Sequence, residues 1–278
     1  MEILCKRLLA AAVAMAALLT VAGTGRAGVV SIGLNFTGGN GGSFKLDATP
    51  PGLTAGVVSQ NNWNDLAGNS QSSPSAAFQD NTGAATTATA TWSGTDLWGT
   101  YGSSQSNANL QLLNGYLDTH HQTSTAAIVT VSNIPFATYE VIAYVNSDHL
   151  NTASDRAFGN VALSGASGGN ATFYYTAVGP VSYTSAQLLA GDEFIQATAT
   201  SDVGTNNPLA DYAIFTGVTG SSFTLTNSAE GAVGSGNNTG LTGLQIVDTA
   251  AVPEPSTAAL AAIGLLGLIL IRRGQETT

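Results

Sequence analysis

A chain of 278 residues with 7 Lys+Arg against 17 Asp+Glu and a single cysteine offers little to a phosphate backbone, a thiolate metal site or a disulfide framework. The exclusion sharpens away from the ends. Setting aside Glu2, Glu254, Glu276, Lys6, Arg7, Arg26, Arg272 and Arg273 leaves 14 acids facing Lys45 and Arg156, a net of −12 that repels nucleic acid.

The chain opens "MEILCKRLLAAAVAMAALLTVAGTGRAGVV". Lys6 and Arg7 form a basic start, Leu8–Ala22 an apolar stretch, and Gly25-Arg26-Ala27 a small-residue cleavage site. Residues 1–27 therefore read as a removable signal peptide, an apolar helix cut between Ala27 and Gly28. Cys5 lies within it, so the body that follows has no thiol chemistry. Gly23–Gly28 satisfies GxGxxG but straddles the cleavage site with no strand before it, which removes its nucleotide-binding meaning.

From 28 to 250 a period of two dominates. "VVSIGLNF" places Val30, Ile32, Leu34 and Phe36 on one face; "ATTATATW" (85–92) alternates Thr and Ala. The run 126–145 predicts two strands parted at Asn133–Ala137 by Pro135, the second apolar on both faces and so central and doubly covered. Further strands are expected at 159–164, 171–178, 194–200, 210–218, 221–227 and 241–248. The best helical signal is a short turn near Asn62–Leu66. Roughly ten short strands with Gly/Asn/Ser turns predict an all-β fold, an antiparallel β-sandwich or jelly roll.

Chemistry-bearing residues are few. Gly165–Gly169 matches G-x-S-x-G but joins two strands where a hydrolase needs a strand-to-helix elbow. His120 and His121 point to opposite faces if extended, and with His149 they read as solvated loop residues. Asp65, Asp80, Asp96, Asp118, Asp192, Glu193 and Asp202 lie near turns, where hard oxygen ligands would suit a structural calcium; no other cofactor is expected. A distant carboxylate pair of the glycosidase kind stays open, although the composition favours a non-enzyme. Trp92, Trp98 and Tyr101 fall within "WSGTDLWGTY"; Trp92 reads as core, while Trp98 and Tyr101, among glycines, are the candidate glycan contacts. Thr87, Thr89 and Thr91 form a T-x-T-x-T row on one strand, explained by β propensity because one strand makes no array.

The end reads "VPEPSTAALAAIGLLGLILIRRGQETT". Pro253 and Pro255 hold Glu254 in extended chain open to an enzyme, and an uncharged run predicts a transmembrane helix over about 257–271. Arg272 and Arg273 keep the tail cytoplasmic and the body outside. This order resembles the PEP-CTERM sorting signal of Gram-negative-type bacteria. The resemblance implies an exosortase-type membrane protease as partner, cutting near Pro253-Glu254-Pro255. An inner-membrane-anchored intermediate would then give a cell-surface or extracellular product among exopolysaccharide.

Two resemblances concern the body. "VSNIPFATYEVIAYV" and "TGLTGLQIV" are similar to strands of galactose-binding-like jelly rolls, and "NNWNDLAG", "DNTGAATTATATW" and "LLNGYLD" resemble planctomycete-type surface proteins with PEP-CTERM tails. The expected organisation is a signal peptide (1–27), a β-sandwich domain (28–250) and a sorting signal (251–278). The expected function is a non-enzymatic structural or adhesive surface protein associated with exopolysaccharide. The alternatives are a discrete carbohydrate-binding module and, below it, a glycan-active hydrolase.

Overall fold

The computed structural model describes residues 29–38, 44–46, 54–101, 103–119, 125–150, 152, 154–180, 194–233 and 238–250. The expected signal peptide, its Ala27/Gly28 cleavage site and the tail with Pro253, Glu254, Pro255, Arg272 and Arg273 lie outside them. So do His120, His121, Asp192 and Glu193. Residues Val30–Ala250 form one unit.

In chain order the strands are β1 (Ser31–Phe36), β2 (Asn64–Leu66), β3 (Ser70–Gln71), β4 (Thr89–Ser93), β5 (Leu97–Gly99), β6 (Gly115–Asp118) and β7 (Ala127–Ser132). There follow β8 (Thr138–Asn146), β9 (Arg156–Ser164), β10 (Ala171–Ala177), β11 (Leu209–Ala210), β12 (Tyr212–Thr219), β13 (Ser222–Val233) and β14 (Gly240–Asp248). A short helix, α1 (Ala108–Leu112), precedes β6. The side chain of Asn107 starts α1 by accepting from the backbone N–H groups of Asn109 and Leu110, at 2.8 and 3.0 Å.

The strands form two seven-stranded sheets. The first runs β12-β8-β14-β1-β2, with β6 beside β14 and β5 beside β6; the second runs β11-β10-β9-β13-β7-β4-β3. Both are mixed rather than antiparallel throughout, because β1 pairs with β2, and β10 with β11, in parallel. Parallel neighbours need a long crossover, and the segments between Phe36 and Asn64 and between Ala177 and Leu209 supply it. Fourteen strands are present among the described residues, not about ten. Four of them (β2, β3, β5 and β11) are two or three residues long, too short to leave a period in the sequence.

One apolar cluster lies between the sheets. The first sheet gives it Ile32, Leu34, Phe36, Val141, Leu244 and Ile246; the second gives Trp92, Val129, Val131, Val161, Leu163 and Leu225. Trp92 packs edge-on against Phe36 with ring centroids 6.2 Å apart, and its Nε1 donates to the Gly68 carbonyl. It is a core residue, as its place in the pattern predicts.

The two sheets differ in their outer faces. In the second, burial alternates residue by residue along β7 and β9, leaving one face to solvent. In the first, β1 is buried at all six positions, so Ser31 and Asn35 are as covered as Leu34. The covering layer is held by polar contacts. Gln245 donates to the Val58 carbonyl (2.7 Å) and to Gln60 Oε1 (3.0 Å). Its Oε1 accepts from the Tyr144 hydroxyl (2.5 Å) and from Val58 N–H (3.3 Å). Ser31 donates to Gln60, Asn35 to the Phe44 carbonyl, and Val57 N–H to the Tyr144 hydroxyl. β8 is central and doubly covered, between β12 and β14.

Two expected elements are different in the structure. Asn62 adopts φ 56°, and Asn64–Leu66 is a strand parallel to β1 instead of a helical turn. Residues 194–200 form isolated bridges, Gln196 with Tyr212 and Ala199 with Tyr174, where a strand was expected.

Gln245→Leu keeps the side-chain bulk but leaves Tyr144 and Val58 without their partner. It should lower the unfolding free energy by about 2–5 kcal/mol in urea titrations, while Thr226→Val on the open face of β13 should stay within about 0.5 kcal/mol.

Candidate functional site

β5 and β6 form an antiparallel ribbon in which Trp98 lies opposite Tyr116. Residues directly opposite share a face, so both rings point the same way. Both reach Asp148, just beyond β8: Trp98 Nε1 donates to Oδ2 at 3.0 Å and the Tyr116 hydroxyl donates to Oδ1 at 3.1 Å. Tyr116 is fully buried, whereas Trp98 is 42% exposed. The carboxylate therefore fixes an indole ring whose remaining surface faces water.

Asp118 follows Tyr116 by two positions and lies on the same side of β6. Its Oδ2 accepts from Asn238 Nδ2 at 3.1 Å, while Oδ1 is buried without a partner. Burial pushes its carboxyl up to about 7, and nearby Asp148 and Asp96 add to the rise against the hydrogen bonds from Asn238 and Thr119. Below that pH Asp118 is a neutral acid able to donate a proton into a hydrogen bond. The exposed ring of Trp98 and the half-buried Asp148 carboxylate at its Nε1 offer an apolar face bordered by a polar group, the pattern that suits a sugar ring, while Asp118 stays buried.

Tyr101 does not join Trp98. β5 ends at Gly99 and the chain bends at Thr100 and Tyr101, where Tyr101 N–H donates to Asn114 Oδ1, and the Tyr101 hydroxyl is buried. Burial raises it above its ordinary range and Asp211 reinforces the shift. Asp211 is itself fully buried; Oδ1 accepts from Ile195 N–H, Oδ2 has no partner, and desolvation holds the carboxyl well above the usual carboxylate range. The other half of the expected aromatic pair is thus an interior residue at its polar end.

His149 is buried rather than solvated, and its Nδ1 meets Asp155 Oδ1 at 2.5 Å. That bond holds the Asp155 carboxyl below its usual range. The G-x-S-x-G segment is a turn between β9 and β10, with Gly165 and Gly169 both at φ 75°. Ser167 is held there by its N–H to the Thr219 carbonyl.

The acids near turns mostly secure their own loops. Asp80 accepts from the N–H groups of Thr82 and Ala84 and from the Thr82 hydroxyl. Burial raises its carboxyl, but these bonds prevail and hold it low. Asp202 accepts from Gly204 N–H and Asn207 Nδ2, and Asp65 from Asn35 and Leu46 N–H. Among the described residues no three His, Cys, Asp or Glu side chains are grouped to hold a metal ion. Sequence reasoning missed Tyr116 and Asp148 as neighbours of Trp98, and Asn238 as the partner of Asp118. Tyr116 lies 18 and Asp148 lies 50 positions from Trp98, and Asn238 lies 120 from Asp118, so only the fold joins them.

Beyond this site, residues 251–273 match the family model described as the PEP-CTERM protein-sorting motif. The tail is a PEP-CTERM sorting motif. No curated protein and no solved structure matches the chain. The motif marks an exosortase substrate, exported through a membrane-anchored intermediate to the cell surface. No helix among the described residues is long and apolar enough to cross a membrane.

The charge states make stability depend on pH in a definite sense. Asp118 takes up its proton near pH 7 when folded and near 3.8 when unfolded, so between those values the folded state binds the extra proton. Stability then rises as pH falls from about 7 towards 4, and the raised Asp211 acts in the same direction. Asp80 and Asp155, held low, contribute above 3.8 and lose their contribution only below it. Urea titrations at pH 8 and pH 5 should show the acid condition more stable, and Asp118→Asn should shrink the difference by on the order of 2 kcal/mol.

Proposed function

We propose that this is a non-enzymatic secreted or cell-surface protein, a structural or adhesive component associated with exopolysaccharide. The observation that carries the reading is the PEP-CTERM motif over residues 251–273. The sparsely charged body, where the 14 acids face two bases, supports it, because such a surface meets its surroundings through hydroxyl and amide groups.

In this reading residues 1–27 are removed as a signal peptide between Ala27 and Gly28, and the helix over about 257–271 holds the intermediate in the inner membrane. An exosortase-type protease then cuts near Pro253-Glu254-Pro255. The body, 28–250, is one sandwich domain of the galactose-binding-like jelly-roll kind, akin to planctomycete-type surface proteins. Two sheets around a common apolar cluster agree with that architecture.

A second reading, a discrete carbohydrate-binding module, draws on one specific observation: the exposed ring of Trp98 is pinned through Nε1 by Asp148. A fixed ring loses little conformational freedom when a sugar stacks on it, which favours binding.

Glu254→Ala should trap an uncut, membrane-bound form in cell fractionation with immunoblotting; unchanged release would remove the exosortase step. In a glycan array with the purified protein, Trp98→Ala should reduce sugar binding about tenfold or more if Trp98 forms a module, and leave it unchanged if the association is diffuse.

A further inference from the structure

The Thr row of β4 is part of an array. Thr91 is in register with Thr130 on β7, Thr130 with Thr224 on β13, and Thr224 with Ser164 on β9. Four hydroxyl side chains thus cross four adjacent strands, a span of about 14 Å at ordinary strand spacing. The alternation along β7, with Val129 and Val131 buried and Thr130 half-buried, places this row on the open face. Thr130 and Thr224 hydroxyls meet at 3.0 Å.

A shorter hydroxyl row and a mixed row flank it, each about 6.7 Å away along the strands. On one side Thr89, Ser132 and Ser222 are in register. On the other, Ser93, Ile128, Thr226, Ala162 and Thr172 form a row across β4, β7, β13, β9 and β10. Ile128 is 38% exposed, an apolar spot among hydroxyls.

The charge distribution fixes the chemistry of the partner. The strands of this sheet contain two charged residues, Arg156 and Glu230. From the central row Arg156 is eight positions from Ser164 along β9, about 26 Å, and Glu230 six from Thr224 along β13, about 20 Å; from the flanking row they are six and four positions away, about 20 and 13 Å. An anionic polymer finds no cation on the array, and a cationic one finds no carboxylate. Each hydroxyl both donates and accepts, and the Thr methyl groups with Ile128 add apolar points between them. A partner that matches has closely spaced hydroxyls and C–H faces and no charge.

We propose that the open face of the second sheet, centred on Thr91, Thr130, Thr224 and Ser164, is a docking surface for a neutral polysaccharide chain. The proposal rests on the reading of the protein as a surface component among polysaccharide, and it assigns the contact to this face and not to Trp98.

The test uses the full-length chain in detergent, co-sedimented with insoluble neutral glucan, mannan and galactan and with a polygalacturonate gel. Thermal hysteresis of ice growth is measured in parallel, because regular Thr rows also suit an ice lattice. The variant Thr91→Val/Thr130→Val/Thr224→Val removes three hydroxyls while keeping β-branched side chains of similar size, so it should fold; circular dichroism and the urea midpoint check this. The expected result is retention of wild type and Trp98→Ala on at least one neutral polymer, with at least about tenfold weaker retention of the triple variant and none on the anionic gel. Loss in Trp98→Ala with the triple variant unaffected would overturn the face assignment and leave polysaccharide association intact. Wild type bound to no neutral polymer would overturn both. Preference for the anionic gel, or ice-growth inhibition lost in the triple variant, would replace the proposed occupant.

Discussion

Gln245 lies in the middle of β14 with no solvent exposure, and its side-chain amide is shared among Tyr144, Gln60 and the Val58 backbone. A buried amide left without partners costs on the order of 1–3 kcal/mol for each unmet group, so these contacts decide whether the covering layer can stay in place. They also decide what the first sheet is. With the layer on, both faces of β1, β8 and β14 are interior, and Asn35, Tyr144 and Asn146 become buried polar residues with defined partners. Gly33 shows how close the layer comes, since a Cβ there would stand 2.3 Å from the Gln60 side chain.

That difference between the sheets separates two kinds of surface chemistry. The first sheet meets solvent at its end, through a ring and a carboxylate brought together by β5, β6 and the turn after β8. The second meets solvent across a face, through rows of hydroxyls far from Arg156 and Glu230. One is a local site that depends on a few side chains; the other is a broad contact that depends on register.

Much of the fold is legible in the sequence because period-two patterns survive wherever a strand is long. β1, β8, β9 and β14 fall where Ile32, Val141, Val161 and Ile246 place them. The short strands are not legible, since Ser70–Gln71 and Leu209–Ala210 exist only through their neighbours. The stretch Asn62–Leu66 misleads because its strand depends on β1, and the φ of Asn62 is imposed from outside the local sequence. Trp98 and Tyr101 look alike on the page, yet one is half open and the other has its hydroxyl inside. Only pairing distinguishes them, and only pairing turns the lone Thr row into an array. His149 is a similar case: its partner Asp155 is six positions away, but nothing local announces that the imidazole is buried against it.

The borders of the sheets have their own consequence. The second sheet ends in β3 and β11, each two residues long, and the first ends at β2 and, on its β6 branch, at β5, each three residues long. Its opposite border, β12, is bent by an irregularity between Phe215 and Val218, where Gly217 takes φ 65°, and is occupied at its start, where the Tyr212 carbonyl accepts from Ala197 N–H. Long, flat borders invite a second chain to add a strand, and charged side chains usually prevent it. A surface this poor in lysine prevents it by geometry: its margins are short, bent or occupied. Molecules crowded on a cell surface can then stand side by side without polymerising through their backbones.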